Sequence, residues 1–390
     1  MQTRQNSKKK EQDSIPQPIR GNDGFEDRGP RNVLLDQQNP DLLVPPATDH
    51  GTLPNMKFPF SMAHNRLQDG GWARQVTIRE LPISKEIAAV NMCLKPGAIR
   101  EMHWHKEAEW AYMLWGRARL SGVDQNGQNF LDDVGPHDMW NFPAGIAHSI
   151  QGLEEGCEFL LIFDDGNFSE DSTFLITDWF NCTPKHILAK NFGVSESAFS
   201  ELPTDVDHTR YIFQGEIPGP LSSDKVPNKL GERSFTYHIS DLKPLKTSGG
   251  TVRIIDSTIF PAASTIAVGI VDVEPGGLRE LHWHPNTDEW QYYLEGNGRM
   301  TVFASEHTAR TFNYSAGDVG VVPFAMGHYV ENTSDDTPLR FLEVFRSPHF
   351  QDVSLNQWLA LIPPELVKEH LDVGDEVMKS LRKEKWPLIK

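Results

Sequence analysis

Apolar and polar residues alternate along most of this chain in short runs. Gly70-Gly71 leads into Trp72-Ala73-Arg74-Gln75-Val76-Thr77-Ile78. Similar runs follow at Ala88 to Leu94, Trp110 to Leu114, Met139 to Phe142 and Phe159 to Phe163, bounded by Gly, Pro, Asn or Asp. A period of two sends successive side chains to opposite faces, the mark of a half-buried strand. Many short strands at regular spacing predict a sandwich or barrel. The period changes between Ser172 and Phe192. Asp178-Trp179-Phe180, then Pro184 to Ala189 with Gly193 beyond, predict two short helices, with proline near a start and glycine past an end. Glu201 to Ser234 reads as a loop, with Pro218, Pro220 and Pro227. Strand patterning resumes at Tyr237 and is clear from Thr265 to Val273. Asn356-Gln357-Trp358 and Pro363-Pro364-Glu365-Leu366 then replay the helical segment 179 positions on. Repetition on this scale means two copies of one domain rather than a solenoid.

The organisation expected is therefore an N-terminal leader and extended arm over 1–55, a first β-barrel domain over 56–235 and a second over 236–390. The arm is rich in Pro, Asn and Asp, as in Ile15-Pro16-Gln17-Pro18 and Pro45-Pro46, and is expected to lie on something else. Met1 to Ser14 is polar and lysine-rich and reads as a disordered leader.

Candidate chemistry sits on the strands. His103 and His105 flank Trp104, so both face the same side of one strand. Glu109 can return to that side across a bend, and His148 must come from another strand. Three imidazoles and one carboxylate suit a divalent first-row metal. His282, His284, Glu289 and His328 repeat the set, 179 positions later for the paired histidines and 180 for the other two. Two sets in register predict two metal sites. Spacing does not choose the metal. Manganese binds most weakly in the usual stability order, so its use depends on supply.

Composition narrows the function. With 390 residues, two domains are the default. Lys plus Arg is 37 against 54 Asp plus Glu, a net charge of -17. That argues against a nucleic-acid partner, and means that local cations must draw in any anionic substrate. Cys93, Cys157 and Cys182 match no zinc pattern and read as small buried hydrophobes. No apolar run is long enough to span a membrane. The leader lacks the apolar core of a signal peptide, which suits a cytoplasmic protein.

Gly97, His103-x-His105, Glu109 and Gly116 resemble the first motif of the cupin superfamily, as do Gly276, His282-x-His284, Glu289 and Gly296. Pro143 with His148, and Gly317 with Pro323, His328 and Asn332, resemble the second. His137, Gly152 and Ala325 depart from it at turns, not at ligands. Over nearly the whole chain the sequence is similar to bacterial bicupin oxalate decarboxylases. The similarity is plain in Asn39-Pro40-Asp41, Asp49-His50-Gly51, Arg100 to Trp110 and Pro323 to His328. The resemblance implies two stacked jelly-roll barrels with short helical appendages and Mn(2+) in each, two per chain. It also implies dioxygen as redox cofactor, conversion of oxalate to formate and CO2, and a dimer of trimers. Spore association is a second location compatible with the family.

It also implies roles for residues beyond the ligands. The loop between the last strand and first helix of the first copy is three residues longer than its counterpart. Phe168 to Trp179 is eleven positions, Phe350 to Trp358 eight. By itself Glu170 in this loop reads as a solvated helix cap. The resemblance makes the loop a lid and Glu170 the proton acceptor and donor, with Asp171 where the family's lid has Asn. Strict alternation points Arg100 and Arg279 away from the metals unless a bulge intervenes, whereas the resemblance places each beside its metal. There Arg100 would bind the substrate carboxylate. Glu343 interrupts the apolar run Phe341 to Phe345 where the first copy has Leu161, so it either serves the second metal or makes a structural hydrogen bond. Trp104 and Trp283 face away from the ligands, as packing residues or as a route for an electron between sites. Three alternatives stay open: an oxalate oxidase at the same site, yielding CO2 and hydrogen peroxide; a non-catalytic metal-binding bicupin; and a dioxygenase for an aromatic substrate.

Overall fold

The computed structural model describes residues 15–21, 24–203, 210–224 and 234–390; the leader Met1 to Ser14 lies outside them. The fold is mainly β, two jelly-roll units with short helical appendages. The first copy is built on one sheet of 11 strands and the second on sheets of 7 and 6, with the 11- and 7-stranded sheets each taking one strand from the other copy. Runs read separately in the first copy join into two long strands, Glu109–Val123 and Ala147–Phe163, which pair with each other. They bend where Gly116 and Gly156 meet at positive φ; a Cβ on Gly116 would sit 2.1 Å from the Gly156 carbonyl oxygen. Only glycine permits that approach. At the matching Gly296 the second copy breaks into Glu289–Glu295 and Asn297–Phe303. His137 and Ala325, both standing where the motif has glycine, keep the glycine-like backbone at φ 72 and 61.

The expected helices are present as Ile176–Asn181 and Lys185–Phe192 in the first copy and Leu355–Leu361 and Pro364–Leu371 in the second. The arm is less extended than expected. It contains the short helices Val33–Gln38, capped by the Asn32 side chain on Leu35 N, and Pro40–Leu43. It lies on the second copy, where Asp41 pairs with Arg299 at 2.7 Å and Asp49 accepts from the Thr311 amide at 2.9 Å.

Strands cross between the copies. Lys57–Pro59 pairs with Asp318–Val322 of the second copy, and the buried Lys57 ammonium meets Asp318 at 2.9 Å. In return Thr236–Tyr237 pairs with Met139–Phe142 of the first. One apolar cluster runs through both copies, from Trp110, Trp140 and Phe159 to Phe260, Trp290 and Val344. Each such side chain contributes about 1.5–3 kcal/mol by leaving water, so the two copies share a core.

The crossing strand is clasped by His238, whose Nδ1 lies 2.9 Å from Asp138 and whose Nε2 lies 3.3 Å from Asp132. Burial disfavours the charged ring, but the hydrogen bond and charge of Asp138, with Asp132 behind it, outweigh burial and raise its pKa. A raised imidazole pKa contributes stability fully below the unfolded value of about 6.5, and that contribution fades as pH rises through the folded value. His238→Gln should therefore lower the melting temperature at pH 5.5 and matter less at pH 8.5. An equal loss at both would remove this role.

Candidate metal centres

His103 ends up opposite His148, because strand Ile99–Trp104 pairs with Ala147–Phe163 in that register. His105 follows at the turn, and Glu109 opens the next strand. His103, His105, Glu109 and His148 are all at most 3% exposed, with ligand atoms within 4.8 Å of one another. His282, His284, Glu289 and His328 form the same cluster in the second copy.

The six imidazoles are aimed by the main chain. Nδ1 of His103, His105 and His148 lies 2.6–2.8 Å from the carbonyls of Glu101, Glu107 and Ile146. Nδ1 of His282, His284 and His328 lies 2.7, 2.7 and 3.1 Å from those of Glu280, Gln351 and Met326. A carbonyl only accepts, so each Nδ1 must carry the proton, leaving a lone pair on Nε2. Those lone pairs point inward. Nε2 of His148, His282, His284 and His328 is buried without a hydrogen-bond partner. Each glutamate has one oxygen held from behind, Glu109 by the Trp140 indole at 3.0 Å and Glu289 by Gln291 at 2.8 Å. Its other oxygen faces the imidazoles, with Glu289 Oε2 2.6 Å from His328 Nε2 and 3.1 Å from His284 Nε2. Burial alone would raise Glu109, but the neighbouring imidazoles hold it well below the carboxylate range. Burial lowers His103, His148 and His282, with Arg100 and Arg279 adding to the shift at His103 and His282. Anionic and neutral acceptors thus converge with no donor between them. Ligands about 2.1 Å from a cation lie about 3 Å apart, so the residues present fit a divalent ion.

Arg100 and Arg279 do face the ligands, and the reason is a bulge. Arg100 pairs with Ile150 and His103 with His148, three steps along one strand against two along the other. Arg279 and His282 repeat this opposite Val330 and His328. The extra residue restores the arginine to the inner side. From there the two copies differ. Arg279 is fully occupied, donating Nε to Glu343 at 2.9 Å and Nη2 to Asp352 at 2.7 Å. Lys385 also pairs with Asp352. Glu343 fits because its cross-strand partner is Gly269, whose missing Cβ would lie 3.2 Å from Oε2; the first copy has Val90 opposite Leu161. Arg100 instead packs 3.6 Å from the centre of the Tyr211 ring and donates to the Tyr211 carbonyl at 3.4 Å. Among the described residues no carboxylate lies within ion-pair distance of it. Tyr211 precedes the short strand Ile212–Phe213, which pairs with Ile99–Arg100 inside the segment read as loop. Its only signal in sequence was the apolar run Tyr211-Ile212-Phe213.

The longer loop of the first copy folds over this arrangement. Glu170–Ser172 is a single turn of 3-10 helix capped by Ser169, and Phe174–Leu175 then pairs with Trp104 and His103. Glu170 is 7% exposed. Burial raises its pKa against the pull of Arg100, Arg66 and Tyr211. The cavity between Arg100, His103, Tyr211 and Phe168 has about 10 Å³ of free space, room for roughly one water. Trp104 stacks on Phe174 with ring centres 5.5 Å apart, and Trp283 meets Trp358 edge-on.

Residues 60–199 and 238–379 each match the model of the cupin family. The chain is a cupin. This bicupin is 59% identical to the oxalate decarboxylase OxdC of Bacillus subtilis (strain 168), over 98% of each chain. It is 44% identical to a probable oxalate decarboxylase of Arthroderma benhamiae, over 93% of this chain and 90% of the other. A solved structure of the Bacillus subtilis oxalate decarboxylase, studied for its Mn(II) centres, superposes with a TM-score of 0.93 at 59% identity, covering 97% of this chain and all of that one.

In this cupin the buried Arg279–Glu343 pair should be worth most where it cannot be replaced by water. Glu343→Gln leaves the guanidinium half-paired, a loss of about 3 kcal/mol and of about 5 °C or more in melting temperature. An unchanged melting curve would show that Asp352 alone suffices.

Proposed function

We propose that this bicupin is a manganese-dependent oxalate decarboxylase, converting hydrogen oxalate to formate and CO2, with one Mn(2+) in each copy. The observation that carries this reading is the first-copy site. There a buried guanidinium, Arg100, with no carboxylate among the described residues within ion-pair distance, shares a small cavity with His103, His105 and Glu109, beside a loop bearing the buried acid Glu170. His103, His105, Glu109 and His148 would hold the manganese, which with dioxygen would supply one-electron redox chemistry to weaken the carbon–carbon bond. Arg100 binds the carboxylate that is retained and stabilises its charge. Glu170 takes the proton of the substrate carboxyl and returns it to the carbon that loses CO2, base first and acid afterwards. Its raised pKa suits both halves of that task. The small cavity has room for about one water, which keeps bulk solvent from competing with Glu170 as the source of the returned proton.

The second set, His282, His284, Glu289 and His328, holds its ion beside an arginine already bound to Glu343 and Asp352. We assign Arg279 and Glu343 a structural role at that site, with no part in substrate binding. The copies divide at 55/56 and 235/236, with Lys57–Pro59 and Thr236–Tyr237 exchanged across the boundary. Trp179 and Phe174 in one copy, and Trp358 and Leu361 in the other, are exposed. That apolar surface supports a homo-oligomer, for which we propose the dimer of trimers. Three free cysteines suit a reducing compartment, here the cytoplasm.

Glu170→Gln keeps the shape and removes the proton. Formate release should fall by about 10²-fold or more, with manganese content unchanged by elemental analysis. Undiminished formate would overturn the role of Glu170, and peroxide in place of formate from the unaltered protein would make it an oxidase.

A further inference from the structure

We infer that Arg66 is a positioning residue that latches the lid, one guanidinium holding both lid carboxylates, Glu170 and Asp171, against the barrel. The latch itself stands on geometry; its consequence for product rests on the decarboxylase reading above.

Arg66 lies on strand Asn65–Gln68, which pairs with Gly71–Val76. Its Nη1 is 3.7 Å from Glu170 Oε2 and 3.4 Å from Asp171 Oδ1. Among the described residues no other cation comes within ion-pair distance of either carboxylate. The guanidinium carbon also lies 4.3 Å from the centre of the Tyr211 ring, the same ring that carries Arg100. Stacking on an aromatic face pre-orients a guanidinium and lowers the entropy lost on pairing. A second tether comes from the neighbouring strand, where Gln75 Oε1 accepts from the Glu170 amide at 3.3 Å. The far end of the lid is pinned where Phe174–Leu175 pairs with Trp104 and His103, and Glu170 also bonds the Tyr211 side chain, while Asp171 stands in solvent with Arg66 as its partner.

The lid must move. Inside it the cavity has room for about one water, while outside it a pocket of about 300 Å³ is lined by His64, Arg66, Arg74, Gln75, Glu170 and Asp171. A dicarboxylate entering that outer pocket meets Arg66 before it meets Arg100. Its carboxylate can take over the N–H donors that Glu170 and Asp171 release, so opening exchanges one anion for another instead of stranding a cation. Asp171 adds a charge where the similar lids have Asn, and so gives this chain's latch its second arm.

Hydrogen–deuterium exchange over residues 167–175 of the manganese-loaded protein reads the latch directly. Asp171→Asn, an isosteric change at an exposed position, should speed exchange there about two- to five-fold, the range of an exposed ion pair. Arg66→Gln should speed it more, Arg66→Lys less than Arg66→Gln, and the double variant Arg66→Gln with Asp171→Asn no more than Arg66→Gln alone. Unchanged exchange in both single variants, or independent additive effects in the double, would overturn the latch. Formate and peroxide are measured on the same preparations. Formate production with flat exchange sinks the latch and leaves the decarboxylase; the exchange pattern without formate from any variant does the reverse. If both stand, the peroxide share should rise as exchange rises.

Discussion

The two metal centres depend on hydrogen bonds between imidazole and main chain. In each copy three Nδ1–H groups donate to carbonyls, one of them, in five of six cases, two residues away. Such a bond selects the tautomer, fixes the ring plane and raises the basicity of the other nitrogen. Because the acceptors are backbone, the orientation is built by the strands and turns and not by further side chains that could be lost one at a time. His284 is the exception, bonding Gln351 in the loop that replaces the lid. The second site is thereby tied to a segment that in the first copy is displaced by three inserted residues.

One scaffold has thus been given two different surroundings. The bulge before each histidine pair brings an arginine inward in both copies. In the second copy a Gly269–Glu343 pair and Asp352 neutralise it; in the first, where Val90 and Leu161 stand instead, the guanidinium's partners among the described residues are an aromatic face and a carbonyl. A buried cation with no carboxylate among the described residues within ion-pair distance is costly. That cost is relieved when an anion binds, so the first cavity is shaped to take one despite a chain net charge of -17.

Sequence showed the ligands because metal spacing is local and repeats. His103 and His105 share a strand face, and an internal duplication supplies its own control. It also showed the helices, through Pro184 and Gly193, and the inserted lid residues, by counting between the copies. It did not reveal which way Arg100 points, since a bulge is a backbone irregularity with no residue signature at this position. Nor did it reveal Tyr211 or Arg66, which reach the site from 111 and 34 positions away and meet it only through strand pairing. Glu343 was visible as an anomaly in an apolar strand, yet its partner became clear only once Arg279 and Gly269 lay beside it. The exchange of Lys57–Pro59 and Thr236–Tyr237 between copies was hidden for the same reason: short edge strands carry too few residues to state their partner.

The central claim is that each copy carries its own metal and that the paired donors hold it without help from the other. Isotope-labelled oxalate, followed by carbon NMR in protein whose manganese has been counted, tests this most directly. The account predicts two manganese ions per chain, with one carbon of each oxalate appearing as formate and the other as CO2. A single ion per chain at saturation, or labelled carbon recovered only as CO2, would contradict it.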